Sequence, residues 1–258
     1  VRAWKTEPVS SAPDAVRDVT DPNTWGAAID EAVNAVRRGD LIVLPTDTVY
    51  GVGAEPFDAD AVAALGAAKG RTHGAPPPVL VPEVRTLDGL AADVSGEARA
   101  LAAAFWPGAL TLLLRAQPSL QWTVSDGAGV VALRVPDHPA ALAVLQRTGP
   151  LAVTGAQRSG QPAPTTVDAA REQLGAAVAV YLDGGEVPGS ASTVVDATVS
   201  PPRVLRVGAI GIDALRGVVA QVEVPAEAPA AAALAAGARP RDATGPGPDP
   251  DTPREAAG

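Results

Sequence analysis

An α/β or α+β fold is predicted for this chain, and three observations predict it. Short apolar runs of strand length recur at Leu41–Leu44, Pro78–Val81, Leu110–Arg115, Val130–Val135, Pro150–Thr154, Val178–Leu182, Thr193–Ala197 and Val204–Val207. Between them lie stretches with helical spacing and capping residues, so strands and helices alternate along the whole length rather than separating into halves. The 258 residues are 47% hydrophobic but only 3% aromatic, enough for one sizeable domain whose core is built of Ala, Val and Leu.

Taken in order, residues 1–22 are polar and Pro-containing and read as a loose lead-in. Thr24 is placed to cap a helix running to Arg38, with Ile29, Val33 and Val36 on one face and Gly39 as its stop. Leu41–Leu44 is a continuous apolar run, the pattern of a strand buried on both faces, and Pro45 ends it because it has no N–H for the ladder. Thr46, Asp47 and Thr48 follow, then Tyr50-Gly51-Val52-Gly53, read as a loop whose glycines let backbone approach a ligand. Asp58 caps a second helix that ends near Lys69-Gly70, and Ser95 caps a third that runs to Phe105 and is broken by Trp106-Pro107-Gly108. Asp137 is placed to cap a helix from about His138 to Arg147, and Thr166 a short one to Leu174. The domain is therefore assigned to residues 23–219. From residue 220 to 258 the chain turns Ala/Pro/Gly-rich and reads as a disordered tail, since such composition buries too little apolar surface to offset the entropy of ordering.

Composition excludes several chemistries. With no cysteine there is no disulfide, zinc–thiolate site or Cys nucleophile, and with two histidines (His73, His138) a His-rich metal site is not expected. No apolar run approaches membrane-spanning length and no signal pattern opens the chain, so a cytoplasmic protein with no membrane partner is expected. The formal charge is −9; from Gln221 onward six acids and three arginines leave −3, so the body carries −6. A net-acidic body weighs against broad non-specific binding of nucleic acid.

Lys69-Gly70-Arg71 places two cations around a flexible glycine at a helix end. Such a pair suits a triphosphate, although cations at a helix C-terminus also serve simply as partners of its dipole. The surrounding motifs decide between these readings. Pro45-Thr46-Asp47-Thr48-Val49-Tyr50-Gly51-Val52-Gly53-Ala54 resembles P-T-D-T-V-Y-G-x-G-A, and Lys69 with Arg71 is similar to the K-x-R about twenty residues downstream of it. Trp106-Pro107-Gly108-Ala109-Leu110-Thr111, Val131-Ala132-Leu133-Arg134-Val135-Pro136 with His138-Pro139, Ser192-Thr193-Val194-Val195-Asp196 and Leu205-Arg206-Val207-Gly208 continue the likeness in the same order, from roughly Trp25 to Leu215. On these motifs the chain resembles the YrdC-like family, the L-threonylcarbamoyladenylate synthases of tRNA modification. Singly, the motifs also have plainer roles: Trp106 as core and His138 as a helix start.

The resemblance implies a single-domain member with a twisted mixed β-sheet, flanked by helices around a concave ligand cavity. It implies a nucleotidyltransferase that joins L-threonine, bicarbonate and ATP into threonylcarbamoyl-AMP with release of pyrophosphate. Mg²⁺ is expected with the triphosphate, and no metal-ligating residue is assigned in the protein. The product would pass to the downstream tRNA threonylcarbamoyl transferase machinery for N6-threonylcarbamoylation of adenosine 37. Residue by residue, Lys69 and Arg71 match the catalytic and phosphate-binding cations. Thr48, Arg134 and Ser192 match threonine-binding positions, and Gln157, Thr165 and Arg206 match nucleotide-binding ones.

One loop departs from the pattern. Gly155-Ala156-Gln157-Arg158-Ser159-Gly160 stands where the family reads S-A-N-x-S-G. A hydroxyl is lost at 155, an amide moves out by one methylene at 157, and Arg158 adds a cation. Ala75 replaces an Asn found in many members, and the His of the longer branch near Leu80 is absent. Two other readings therefore stand beside the synthase: a divergent paralogue that binds nucleotide or acts on another carbamoyl substrate, and a module for tRNA or double-stranded RNA.

Overall fold

The structure is a computed structural model that describes residues 15–70, 76–120 and 129–224. Among these residues one eleven-stranded mixed sheet runs through the domain in the order β1-β9-β2-β3-β8-β4-β7-β6-β10-β11, with β5 beside β6. The strands are β1 (Ala15–Asp18), β2 (Ile42–Leu44), β3 (Gly51–Ala54), β4 (Val79–Leu80), β5 (Ala91–Ala92), β6 (Leu110–Ala116), β7 (Val130–Arg134), β8 (Leu151–Gly155), β9 (Val180–Asp183), β10 (Thr193–Asp196) and β11 (Arg203–Arg206). The helices are α1 (Gly26–Arg37), α2 (Ala59–Ala68), α3 (Thr86–Leu90), α4 (Gly96–Phe105), α5 (Pro139–Thr148), α6 (Val167–Leu174) and α7 (Ile212–Val218). The mixed sheet flanked by helices agrees with the expected fold class.

The apolar run of β2 is buried on both faces, as its sequence required. Ile42 and Leu44 pack with α1 and α5, through Ile29, Val33, Val36, Val144 and Leu145. Leu41 and Val43 point the other way, toward Leu65 of α2 and Ala170 and Leu174 of α6. Side chains alternate across a strand, so one run feeds two cores. Beside it, β9 does the same with Val180 and Leu182 on one face and Tyr181 on the other. A third core collects α3, α4 and α7 against β6, β7 and β10, with Trp106 in it; its Nε1 donates to Leu110 O at 2.7 Å.

Several expectations need correction. Residues 15–18, assigned to the loose lead-in, form β1, which pairs in parallel with β9 and is followed by the buried Val19. Helix α1 is not capped by Thr24: Trp25 holds the N-cap position without a side-chain hydrogen bond. Thr24 is drawn into a turn on Asp21, whose carbonyl accepts from the Thr24 and Trp25 amides. Asp137 does not cap α5 either; His138 precedes Pro139, and the Asp137 amide donates instead to Asp47 Oδ1 at 2.9 Å. The glycine stretch after Tyr50 is strand rather than loop, with β3 lying between β2 and β8. Elements α3, β5 and α7 lacked a sequence signal strong enough to place them. The caps at Asp58, Ser95 and Thr166 hold as read.

The boundary at 219 falls short. Val222 is 4% exposed, the Val204 amide donates to Glu223 O at 2.8 Å, and Arg203 pairs with Glu223 at 3.0 Å. Residues 221–224 thus close the β11 edge, while the tail from 225 onward lies outside the described residues. No described helix is long and apolar enough to cross a membrane.

Candidate active site

The loop between β2 and β3 is shaped by Thr46. Its hydroxyl donates to Val49 O at 2.6 Å and accepts from the Thr48 and Val49 amides, a side-chain turn that leaves both Thr46 and Thr48 buried. The turn presents Thr48 Oγ1 and Asp47 to the end of β7. There Arg134, only 6% exposed, uses all three of its guanidinium nitrogens: Nε donates to Gly108 O at 2.9 Å, one terminal nitrogen to Thr48 Oγ1 at 3.0 Å and the other to Asp47 Oδ1 at 2.5 Å. Burial pushes the Arg134 pKa down while Asp47 opposes that shift. The family motifs P-T-D-T and W-P-G and the arginine of β7 are thus one hydrogen-bonded unit.

A second unit is built at the start of β10. Ser192 Oγ lies 2.9 Å from Thr111 Oγ1 and accepts from the Arg206 guanidinium at 3.0 Å, whose Nε also donates to Ser192 O. Thr193 pins the loop after β11, accepting from the Gly208 and Ile210 amides and donating to Ile210 O. Gly208 has to be glycine there: a Cβ would lie 2.2 Å from Ala191 O. Burial lowers the Arg206 pKa, and the positive charge of Arg134 lowers it further. Two guanidiniums that repel each other, one of them balanced by Asp47, make a site that favours an anion.

Lys69 sits at the C-terminal end of α2 and is 4% exposed. Its ammonium donates to Gly155 O and, at 2.6 Å, to Gln157 O, while its own carbonyl accepts from the Ser159 amide at 3.0 Å. It therefore holds the departing loop in place. Arg158 turns away from it, its Nε donating to Gln173 O at 2.6 Å on α6, so the cation added at that position is spent on the helix end. Thr165 meets the segment after β9 through its backbone: its carbonyl accepts from the Val187 amide at 2.9 Å, and Gly189 N donates to Thr48 O at 2.7 Å. That segment also binds Tyr50, whose hydroxyl donates to Gly185 O and accepts from Gly184 N.

The structure thus brings Thr48, Arg134, Ser192 and Arg206 into two adjoining hydrogen-bonded units, with Lys69, Gln157 and Thr165 on the β8 side. Arg71 lies outside the described residues. Asp47 and Thr111 were not assigned roles from the sequence, although both stand inside the quoted motifs; their partners Arg134 and Ser192 lie far away in the chain.

Fold and site together define an α/β domain in which buried Arg134 and half-buried Arg206 are held by hydroxyls and carbonyls at strand ends. The chain belongs to the Sua5/YciO/YrdC family, whose family model, described as "Telomere recombination", matches residues 34–208. Among its relatives is the threonylcarbamoyl-AMP synthase of Bacillus subtilis, 36% identical over 80% of this chain and 61% of the relative. A Mycobacterium tuberculosis H37Rv protein whose name assigns it provisionally to the same activity is 48% identical over 78% of this chain and 94% of its own length. The crystal structure of Pyrococcus abyssi Sua5 complexed with L-threonine superposes with a TM-score of 0.77 at 33% identity, covering 81% of this chain and 62% of that one. The Escherichia coli YciO structure shares the fold, with a TM-score of 0.71.

Proposed function

We propose that this protein is a threonylcarbamoyl-AMP synthase acting on L-threonine, bicarbonate and ATP. The observation that carries the reading is the Thr48–Arg134 and Ser192–Arg206 pair of units, a buried and a half-buried cation with buried hydroxyls held at fixed positions in a chain of a family whose named relatives are such synthases. In this reading the α-amine of threonine attacks the carbon of bicarbonate, water leaves, and a carbamate oxygen attacks the α-phosphorus of ATP. The bond from that phosphorus to the bridging oxygen breaks and pyrophosphate departs. No covalent nucleophile is needed, in keeping with a cysteine-free chain. The protein's work is orientation and charge neutralisation. Arg134 and Thr48 take the threonine side, Ser192 fixes its neighbour, Arg206, Thr165 and Arg71 take the nucleotide side, and Lys69 supports the 155–160 loop beside it. Mg²⁺ enters as part of the MgATP substrate.

The same proposal places the protein in the cytoplasm and hands its product to a tRNA threonylcarbamoyl transferase. The acidic body supports delivery of a small molecule over direct capture of RNA. The test is pyrophosphate release by the purified protein with ATP and bicarbonate. Release is expected to require L-threonine; release at the same rate without threonine would overturn the reading.

A further inference from the structure

The segment from Gly184 to Ala191, between β9 and β10, is neither helix nor strand, and Glu186, Pro188, Gly189 and Ser190 on it are exposed. It leads into Ser192, and with no ladder of its own its course is set by a few tethers. The Val187 amide donates to Thr165 O at 2.9 Å and the Gly189 amide to Thr48 O at 2.7 Å. The first tether along the chain is Tyr50. Its ring is fully buried in the core shared by β2, α2 and α6, where Val187 packs as well. Its hydroxyl donates to Gly185 O at 2.6 Å and accepts from the Gly184 amide at 3.0 Å. Asp183 Oδ1, 3.3 Å from that hydroxyl, accepts from the Gly185 amide at 2.9 Å. Burial pushes the Tyr50 pKa up, so the hydroxyl stays protonated as a donor. The backbone amide of Tyr50 donates to Pro164 O at 3.0 Å. One residue thus ties the Thr48 turn, the chain that leads to Thr165 and the chain that leads to Ser192. The turn it holds is closely seated: a Cβ on Gly184 would lie 2.7 Å from Pro45 Cγ and 3.2 Å from His138 Cε1.

We propose that Tyr50 is a positioning residue for the amino-acid side of the site, its hydroxyl setting Ser192 relative to Thr48 through the 184–191 segment. The role requires no contact with substrate, and the buried Tyr50 side chain is spent on the protein itself. Displacing a substrate-binding group by about 1 Å can cost about a hundredfold in rate, so a hydroxyl that acts through backbone can still govern binding. The inference rests on the synthase reading for the identity of the substrate.

The test compares two buried tyrosines. Tyr50→Phe keeps the ring and removes the hydroxyl. Tyr181→Phe does the same in the same core, where the Tyr181 hydroxyl donates to Gly175 O at 2.8 Å, at the end of α6. Both variants should lower the melting temperature, the effect of losing a buried hydrogen bond. L-threonine, titrated into the purified protein by calorimetry, should bind Tyr50→Phe about tenfold more weakly than the parent and Tyr181→Phe within about twofold of it. Gly184→Ala, which forces the turn away from Pro45 with Tyr50 intact, should also lose about tenfold, and it decides the question if Tyr50→Phe does not fold. Parental threonine affinity in Tyr50→Phe or Gly184→Ala, or an equal loss in Tyr181→Phe, would overturn the proposal and leave the synthase reading standing. A parent that binds no threonine would overturn both.

Discussion

Replacing Lys69 with methionine keeps the apolar stem and removes only the ammonium. A cation at a helix end, read from sequence, suits a triphosphate or the helix dipole. In the structure Lys69 is 4% exposed and supports two carbonyls of the 155–160 loop, Gly155 O and Gln157 O. Hydrogen bonds to a charged donor contribute about 1.5–3 kcal/mol each. Allowing for water reaching one carbonyl, the variant should lose about 3 kcal/mol of stability. At about 2–4 °C per kcal/mol for a domain of this size, the melting temperature should fall by about 6–12 °C. ATP affinity should fall with it, because the loop that carries Gln157 loses its support. Thermal unfolding by calorimetry reads the first effect and ATP titration the second. An unchanged melting temperature with ATP affinity lost would refute this account and return Lys69 to the role of an exposed phosphate ligand.

Three further outcomes are expected. Arg206→Ala should weaken ATP binding by about tenfold or more, the loss of a charge-assisted contact. Its melting temperature should fall as well, since the variant removes both hydrogen bonds from the Arg206 guanidinium to Ser192; unchanged ATP affinity would show that Arg206 is chiefly structural. Truncation after residue 224 should leave the melting temperature within a few degrees. Truncation after residue 220 should lower stability by about 2–3 kcal/mol, because it removes the buried Val222 and the Glu223 pairing; equal behaviour of the two would contradict that. Burial holds the His138 pKa below its ordinary value in the folded state. Its stabilising contribution is therefore complete above about pH 6.5, the unfolded value, and is lost as pH falls toward the depressed folded pKa. A His138→Gln variant, compared with the parent by melting temperature across that range, should lose this part of the pH slope.

The central strand was legible because its sequence is monotonously apolar, and being buried on both faces is what that pattern requires. The caps at Asp58, Ser95 and Thr166 were legible because each side chain bonds an amide three residues away or fewer. Thr24 and Asp137 misled because distant or turn partners, Asp21 and Asp47, won the competition for the same groups. Strand β3 was hidden by its glycines, which look like loop in one dimension but allow β8 close: a Cβ at Gly51 would lie 2.5 Å from a Val153 methyl. The motifs marked Thr48, Arg134, Ser192 and Arg206. What they could not show is how these residues bond to one another, because those bonds join positions 14 to 86 residues apart. The contacts of buried Lys69 with carbonyls 86 and 88 residues away belong to that same class of fact.

The most direct measurement of the central claim follows the carbon of bicarbonate. Purified protein incubated with ATP, L-threonine and carbon-13 bicarbonate is analysed by mass spectrometry for its nucleotide product. The account predicts threonylcarbamoyl-AMP carrying the label, formed in step with pyrophosphate and absent when threonine is omitted. ATP binding without any labelled carbamoyl adenylate, from a folded protein, would contradict it.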